Sequence, residues 1–197
     1  MIHFKIFTPV SPLRNDGIIT APMDPHADSP PSPWVERWAR WIRPGGAVLD
    51  VASGSGRHAR LLARMGFEVD AVDRDIAAFR DPPPGVALLA ADIESGPWPY
   101  EGRRFDGIVV TNYLHRALLP VLVGSLEPGG LLVYETFARG NERFGKPSNP
   151  AFLLAPGELL EAVRGRLHVI AYEDLVVEEP RPAAIQRVAA RRETPSA

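Results

Sequence analysis

Between Val48 and Asp73 the chain reads VLDVASGSGRHARLLARMGFEVDAVD, and no other stretch limits the possible folds so strongly. An apolar run, Ala47–Val51, stops at small residues that only a tight turn would use, Ser53-Gly54-Ser55-Gly56. Glycine enters left-handed backbone without steric cost, so paired glycines here mark a sharp reversal. Arg57–Met65 then has helical character, Gly66 is a C-terminal stop, and Phe67–Val72 is a second apolar strand ending at Asp73. A strand, a turn, a helix and a strand in this space form a crossover unit whose strands lie parallel.

The alternation continues downstream. Val86–Ala90 is a third strand leading to Asp92, and Gly107–Val110 within FDGIVVTNYL a fourth. Leu118–Leu126 is helical, and EPGG turns into a fifth strand, LLVYETF. A helical turn is expected near Asp75–Arg80, broken by Pro82-Pro83-Pro84, and a helix over Pro156–Val163. Upstream, SPWVERWARWIRPGG starts a helix with Ser32 as N-cap and Pro33 as first helical residue. Trp34, Trp38 and Trp41 fall on one face of it, for core packing or to line a ligand mouth. The tail LHVIAYEDLVVEEPRPAAIQRVAARR reads as an antiparallel hairpin joined by a charged Pro turn. The expectation is an α/β fold, a doubly wound and mainly parallel sheet closed by a C-terminal antiparallel hairpin. Ligands of such sheets sit at the carboxyl ends of the strands, so Asp50, the Gly turn, Asp73, Asp92 and Thr111–Asn112 should converge on one cleft.

Composition narrows the function. With 197 residues, 45% hydrophobic and 23% charged, the chain suits one globular domain. Pro9, Pro12, Pro22, Pro25, Pro30, Pro31 and Pro33 crowd the beginning, so residues 1–31 are expected to be a poorly ordered leader, with Met23 an alternative start. Residues 32–192 form the expected domain and 193–197 a tail. A net charge of −2 lacks the basic footprint of nucleic-acid binding. There are no cysteines, and the five histidines show no helical HxxxH pair, so no metal site is expected. Neither a signal peptide nor a membrane span is read, which fits a cytoplasmic protein.

GSGRHA satisfies the dinucleotide fingerprint G-x-G-x-x-G/A, and Asp73 stands where that motif places its ribose acid. Three features turn the reading away from a nicotinamide cofactor. Asp50, four residues before Gly54, would repel a pyrophosphate but suits a cationic ligand. Only about 60 residues follow the fifth strand, too few for a dehydrogenase substrate domain. The closing hairpin is foreign to a dinucleotide half-fold. Together LDVASGSGRHARLLA, VDAVD, ADIE, FDGIVVTNYLHR and LEPGGLLVYETF resemble, in order, the motifs of the class I S-adenosylmethionine-dependent methyltransferases, with GRHA similar to the tellurite-resistance methyltransferase branch. Ala52 stands where the family's first motif has a glycine.

The resemblance implies S-adenosylmethionine as cofactor and assigns roles. The backbone of Ala52, Ser53, Gly54 and Gly56 would lie against the methionine and ribose parts. Asp50 would sit near the ammonium, directly or through water, or else pair with Arg57. Asp73, followed by Arg74, would accept both ribose hydroxyls, or cap the next turn. Asp92 would accept from the adenine amino group with Ile93 on the ring, or hold an Asx turn. Thr111, Asn112 and Tyr113 would close over the methionine end.

Methyl transfer from a sulfonium needs alignment above all, and a base only if the nucleophile arrives protonated. Tyr113 and His115 are the candidates beside the reaction, with His115 either a base or a packing and capping residue. Beyond the fifth strand a long Gly-bearing loop offers Arg139, Asn141, Arg143, Phe144 and Lys146, as a lid with cations for an anionic substrate or as a solvated surface loop. The minimal substrate region favours a small-molecule acceptor, without nucleic acid or membrane, and leaves the oligomeric state open. A binding protein without efficient catalysis is the second reading. A nicotinamide-dependent oxidoreductase is the third, disfavoured because YxxxK is absent.

Overall fold

The computed structural model describes residues 29–194. Residues 1–28 of the expected leader and 195–197 of the expected tail lie outside the described residues. Along the chain run α1 (Pro33–Ala39), β1 (Ala47–Val51), α2 (Arg57–Arg64), β2 (Glu68–Asp73), β3 (Val86–Ala90) and β4 (Phe105–Thr111). They are followed by α3 (Leu119–Gly124), β5 (Leu126–Phe137), α4 (Glu158–Val163), β6 (His168–Val177) and β7 (Ala183–Arg191). The strands form a seven-stranded sheet in the order β3-β2-β1-β4-β5-β7-β6. The first five strands are parallel, whereas β7 runs antiparallel to both β5 and β6. This is the doubly wound sheet with a closing hairpin that the sequence predicts.

Side-chain alternation puts a core on each face. Leu49, Val51, Ile108, Val110, Leu132 and Tyr134 point to one side, under Leu122 of α3 and Leu159 of α4. Val48, Val109, Leu131 and Val133 point to the other, against Trp34 and Trp38 of α1 and Leu62 of α2. Strands buried on both faces read as near-continuous apolar runs, and β1 and β4 do. Among the described residues no helix is long and apolar enough to cross a membrane.

The chain reverses its direction of travel across the sheet between β1 and β4, where Val51 pairs with Val72 on one side and Val110 on the other. Thr111 pairs with Glu135. The ends of β1, β2, β4 and β5 therefore lie along one edge, and the residues just past them share a rim.

Local chemistry explains where the elements depart from the pattern. Ser32 caps α1 as expected, its hydroxyl accepting from the Trp34 N–H at 3.1 Å. The helix nevertheless ends at Ala39, because the N–H groups of Trp41 and Ile42 bond three residues back, to Trp38 and Ala39. Trp41 consequently leaves the buried face and is 53% exposed, although its ring still touches that of Trp38. The helical turn expected near Asp75–Arg80 is a single turn, Phe79 N–H donating to Ile76 O at 3.0 Å, and does not grow into a helix. The Asp73 carboxylate takes the Asp75 N–H and the Asp75 carboxylate takes the Ala77 N–H, so Asx turns replace the helical ladder. The helix expected from Leu118 to Leu126 is a 3-10 turn, Arg116–Leu118, followed by the short α3. β5 starts earlier than expected, at Leu126, with Glu127–Gly130 bulging out between the pairs Phe105↔Leu126 and Gly107↔Leu131.

Candidate functional site

The sharp turn after β1 organises the rim. Ala52 has φ 55°, a left-handed conformation that costs a non-glycine residue about 1–2 kcal/mol. Ser53 N–H donates to Val72 O at 3.1 Å, and Gly54 N–H donates to Asp73 Oδ2 at 2.8 Å. The loop after β1 is thus tied to the end of β2. With Oδ1 on the Asp75 N–H, Asp73 does cap the following turn, yet each of its oxygens keeps a second lone pair. A Cβ added to Gly54 would meet nothing within 4 Å, so the space beside it is open. Gly56 is a glycine for another reason. Its φ is 80°, and a Cβ there would overlap the Phe79 ring at 2.3 Å. The buried Phe79 ring, not a ligand, occupies that space, and Gly56 does not border the cleft.

A cleft runs along the rim as a chain of hollows. The first, about 240 Å³, lies between the ends of β2 and β3 and is lined by Ala52, Asp73, Arg74, Asp92, Ile93 and Tyr113. The second, about 150 Å³, lies over the turn and is lined by Ser53, Gly54, His58, Thr111, Asn112 and Tyr113. The third, about 500 Å³, lies beyond Tyr113 under the loop that follows β5. A fourth, about 430 Å³, opens beyond Asn112 and Phe137, between Ser29–Pro33 and the β6–β7 hairpin. Tyr113 borders the first three hollows and Asn112 the last three. Asn112 sits there with φ 55°, a conformation asparagine tolerates, its N–H donating to Glu135 O at 3.0 Å.

Of the carboxylates, Asp73 and Asp92 reach the cleft directly. Asp92 also holds the Asx turn, accepting from the Glu94 and Ser95 N–H groups at 3.0 and 3.2 Å and from the Ser95 hydroxyl at 2.6 Å. Those bonds, Ser95 foremost, keep its pKa below the ordinary carboxylate range. Asp50 is 1% exposed and turned under α2, where it accepts from the Ala59 N–H at 2.9 Å. Burial raises its pKa to about 7, opposed by the Ala59 hydrogen bond and the Arg57 charge. Asp50 lines none of the four hollows.

Two buried hydroxyls bear on whether a ligand belongs here. Ser53 Oγ has no hydrogen-bond partner among the described residues, and the Tyr113 hydroxyl makes no bond of good geometry. Both residues line the second hollow. Burial, and then the nearby Glu94 carboxylate, push the Tyr113 pKa up, so at neutral pH the phenol is a donor and not a base. Buried polar atoms are normally paired, and a polar ligand in the hollow would pair these.

Sequence reasoning passed over His58. Its ring is buried, with Nε2 accepting the Ser32 N–H at 3.0 Å and Nδ1 3.2 Å from Thr111 Oγ1. Since Nε2 accepts, the proton of the neutral ring resides on Nδ1 and points to Thr111. Burial, with Arg57 beside it, lowers the His58 pKa to about 3. The signal was the inward face of α2, where His58, Ala59 and Leu62 are all buried. Ser32 Oγ in turn donates to Glu135 Oε1 at 2.8 Å, and Arg187 bonds both Glu135 and Glu173. These contacts bind the start of α1 to β4, β5 and β7.

The remaining expected residues divide. His115 is half-buried at the head of the 3-10 turn and lines none of the four hollows. Arg116 is engaged by Glu158 and by the carbonyls of Ala151 and Leu153. Of the loop after β5, Arg139, Asn141, Arg143 and Phe144 line none of the four hollows. Asn141 is buried and braces the loop, donating to Pro147 O at 2.9 Å and accepting from Ala184 N–H at 3.3 Å. The Arg143 guanidinium lies over the Phe144 ring, outside the cleft. The loop presents Lys146, Pro147, Ser148, Asn149 and Phe152 to the third hollow. Among the described residues no group of three or more His, Asp or Glu is placed so that it could hold a metal ion.

No family model matches the chain. Two curated relatives, both protein-L-isoaspartate O-methyltransferases, share 34% identity with it. The one from Methylorubrum extorquens matches over 122 residues, 52% of this chain and 52% of that protein. The one from Chlorobaculum tepidum matches over 98 residues, 46% and 44%. The chain spans about half the length of the curated relatives it matches. Among solved structures, TehB from Haemophilus influenzae superposes with a TM-score of 0.68 at 20% identity, covering 81% of this chain and 61% of that one. The 1,6-didemethyltoxoflavin-N1-methyltransferase of Burkholderia thailandensis, solved with 1,6-didemethyltoxoflavin and S-adenosylhomocysteine, gives 0.59 at 18% identity over 82% and 77%. The N-methyltransferase NodS of Bradyrhizobium japonicum gives 0.59 at 16% identity over 80% and 95%.

Proposed function

This chain has the fold of the class I methyltransferases, and on that premise we propose that it transfers a methyl group from S-adenosylmethionine to a small-molecule acceptor by in-line displacement. One observation carries the reading. The first three hollows adjoin one another at Tyr113 along the rim of the Gly turn, with Asp73 in the first, Ser53 and Tyr113, whose buried hydroxyls lack a partner of good geometry, lining the second, and a larger cavity beyond Tyr113.

S-adenosylmethionine supplies a methyl group on a positively charged sulfur that departs as a neutral thioether. The residues do the rest. Asp73, fixed by the Gly54 and Asp75 amides, offers its remaining lone pairs to a ribose diol, with Arg74 beside it. Ile93, with Asp92, walls the adenine end. Ser53 and the backbone of Ala52 and Gly54 floor the middle, while Thr111, Asn112 and Tyr113 close the methionine end. Asp50 acts on the ammonium through the turn above it or through water, its buried charge compensated by the cation. Tyr113, a protonated phenol, donates a hydrogen bond where cofactor and acceptor meet, and an acceptor that is already nucleophilic needs no base. Tyr113 replaces His115 as the residue nearest the chemistry, because His115 lines no part of the cleft.

Calorimetric titration with S-adenosylmethionine, S-adenosylhomocysteine and NADH tests the reading. Binding of the two sulfur compounds and not NADH supports it, and binding of NADH alone overturns it. The names of the two curated relatives favour a second reading, an isoaspartyl carboxylate on a protein as acceptor. Base-labile methyl ester on an isoaspartyl peptide, and not on free small molecules, would select it.

A further inference from the structure

The third hollow is apolar along most of its wall, but its two ends differ. Leu114, Phe137 and Phe152 form the body, and Phe152 at the mouth is 54% exposed among the described residues. Glu94 and Tyr113 also border the first hollow, which fixes them at the cofactor side. Lys146, Ser148 and Asn149 line the third hollow alone, which puts them at the side away from the cofactor. Lys146 is the only lysine among the described residues, in a chain that otherwise uses arginine, and no carboxylate there forms a salt bridge with it. Its side chain is exposed, but the backbone beside it is anchored. The buried Asn141 side chain grips the next carbonyl, Pro147 O, and ties it to β7 through Ala184. The hollow beyond Phe137 is lined by Arg57, Arg181 and Arg187, of which Arg187 is neutralised by Glu135 and Glu173, and it does not border the hollow over the cofactor's ribose end.

Resting on the reading of the cleft as a methyl-transfer site, we infer that its acceptor is a small, largely apolar molecule carrying one anionic group, which Lys146 holds at the far end. The apolar body lies between Phe137 and Phe152, and the accepting atom then faces Tyr113 and Asn112. The distance between the charged and the reacting ends is what selects the acceptor. Lys146 repels a cationic group at the far end, and a second charge in the middle would lose its hydration against the apolar wall.

The test titrates the full chain, saturated with S-adenosylhomocysteine, with four probes of one frame: benzoate, phenyl phosphate, benzyl alcohol and benzylamine. The expected result is that one or both anions bind about tenfold or more tighter than the alcohol, the worth of one charge-assisted hydrogen bond, and that the amine binds least. The ratio of the two anions tells carboxylate from phosphate. Lys146→Met, which keeps the apolar stem, should erase the preference, Lys146→Arg should restore most of it, and neither should alter affinity for S-adenosylhomocysteine. Equal binding of alcohol and anion, preference for the amine, binding of none of the four, or a preference that survives Lys146→Met would each overturn the proposal. If S-adenosylhomocysteine fails to bind while the Lys146-dependent preference persists in its absence, the cofactor reading falls and the anion site stands.

Discussion

At the β1–β2 end of the cleft the walls are strand ends and the turns that leave them, held by hydrogen bonds from Gly54, Ser53 and Asp75 to the end of β2. At the end beyond Tyr113 much of the wall is a loop, residues 138–155, whose two ends are tied by backbone bonds (Ala138 N–H to Ala184 O, Arg139 N–H to Leu154 O, Leu154 N–H to Phe137 O) and whose middle is held by side-chain anchors. Asn141 grips it from inside, and Arg116 grips it through Ala151 and Leu153. The first end is made by the sheet itself, so its shape follows from the fold. In the second, the middle of the loop depends on a few side chains, and residues there can change with less effect on the sheet. A scaffold of this kind keeps one binding partner constant while the other varies.

The sharpest way to break the comparison is at the turn. Gly56→Ala should cost about 3 kcal/mol of stability, combining left-handed strain with overlap on the Phe79 ring. Gly54→Ala, with open space around it, should cost only about 1–2 kcal/mol from strain. Urea midpoints of the two variants read the difference, and equal losses would show that Phe79 yields. Next in size, Asp73→Ala should weaken S-adenosylmethionine binding by about 1.5–3 kcal/mol while the protein stays folded. An unchanged affinity would remove the ribose role.

Asp50 gives a prediction in pH. Its pKa lies near 7 without a cation, and a cation favours the ionised form. Affinity for S-adenosylmethionine should therefore rise as pH increases through about 7, by at most about tenfold per pH unit, and the rise should vanish in Asp50→Asn. Calorimetry at pH 6 and 8, as chosen conditions, decides it. On the loop side, Arg116→Ala should cost about 1 kcal/mol of stability, since the pair with Glu158 is partly exposed. It should also weaken acceptor binding without altering cofactor affinity. The smallest effect is a gain: Ala52→Gly removes left-handed strain and should stabilise the fold by roughly 0.5–1 kcal/mol, readable as a rise in Tm.

The same contrast decides what could be read from the sequence. The strands, the Gly turn and the gathering of Asp73, Asp92 and Asn112 on one rim are written in short-range patterns of apolar runs and turn residues. Residues whose role depends on distant packing were not legible. Gly56 answers to Phe79, more than twenty positions away, and Asn141 looks like a loop residue until β7 is placed behind it. In the loop, composition could list Arg139, Arg143 and Lys146 as cations, but only tertiary anchoring turns Lys146 toward the cleft and leaves the arginines outside. The helical turn near Asp75–Arg80 is reduced to the single bond from Phe79 N–H to Ile76 O because two aspartates captured the backbone before it, a competition that propensity alone does not resolve.

His58 and Asp50 are buried on the same side of β1, and their protons run in opposite directions. Folding lowers the His58 pKa from 6.5 to about 3, so between those values the unfolded chain carries a proton that the folded one lacks, and stability rises with pH. Folding raises the Asp50 pKa from 3.8 to about 7, so over that range the folded chain carries the extra proton, and stability falls with pH. From about pH 4 to 6.5 the two slopes cancel. Acidification thus changes the charge beneath the Gly turn while the imidazole that joins Ser32 to Thr111 stays neutral, and the walls keep their form as the field inside them changes.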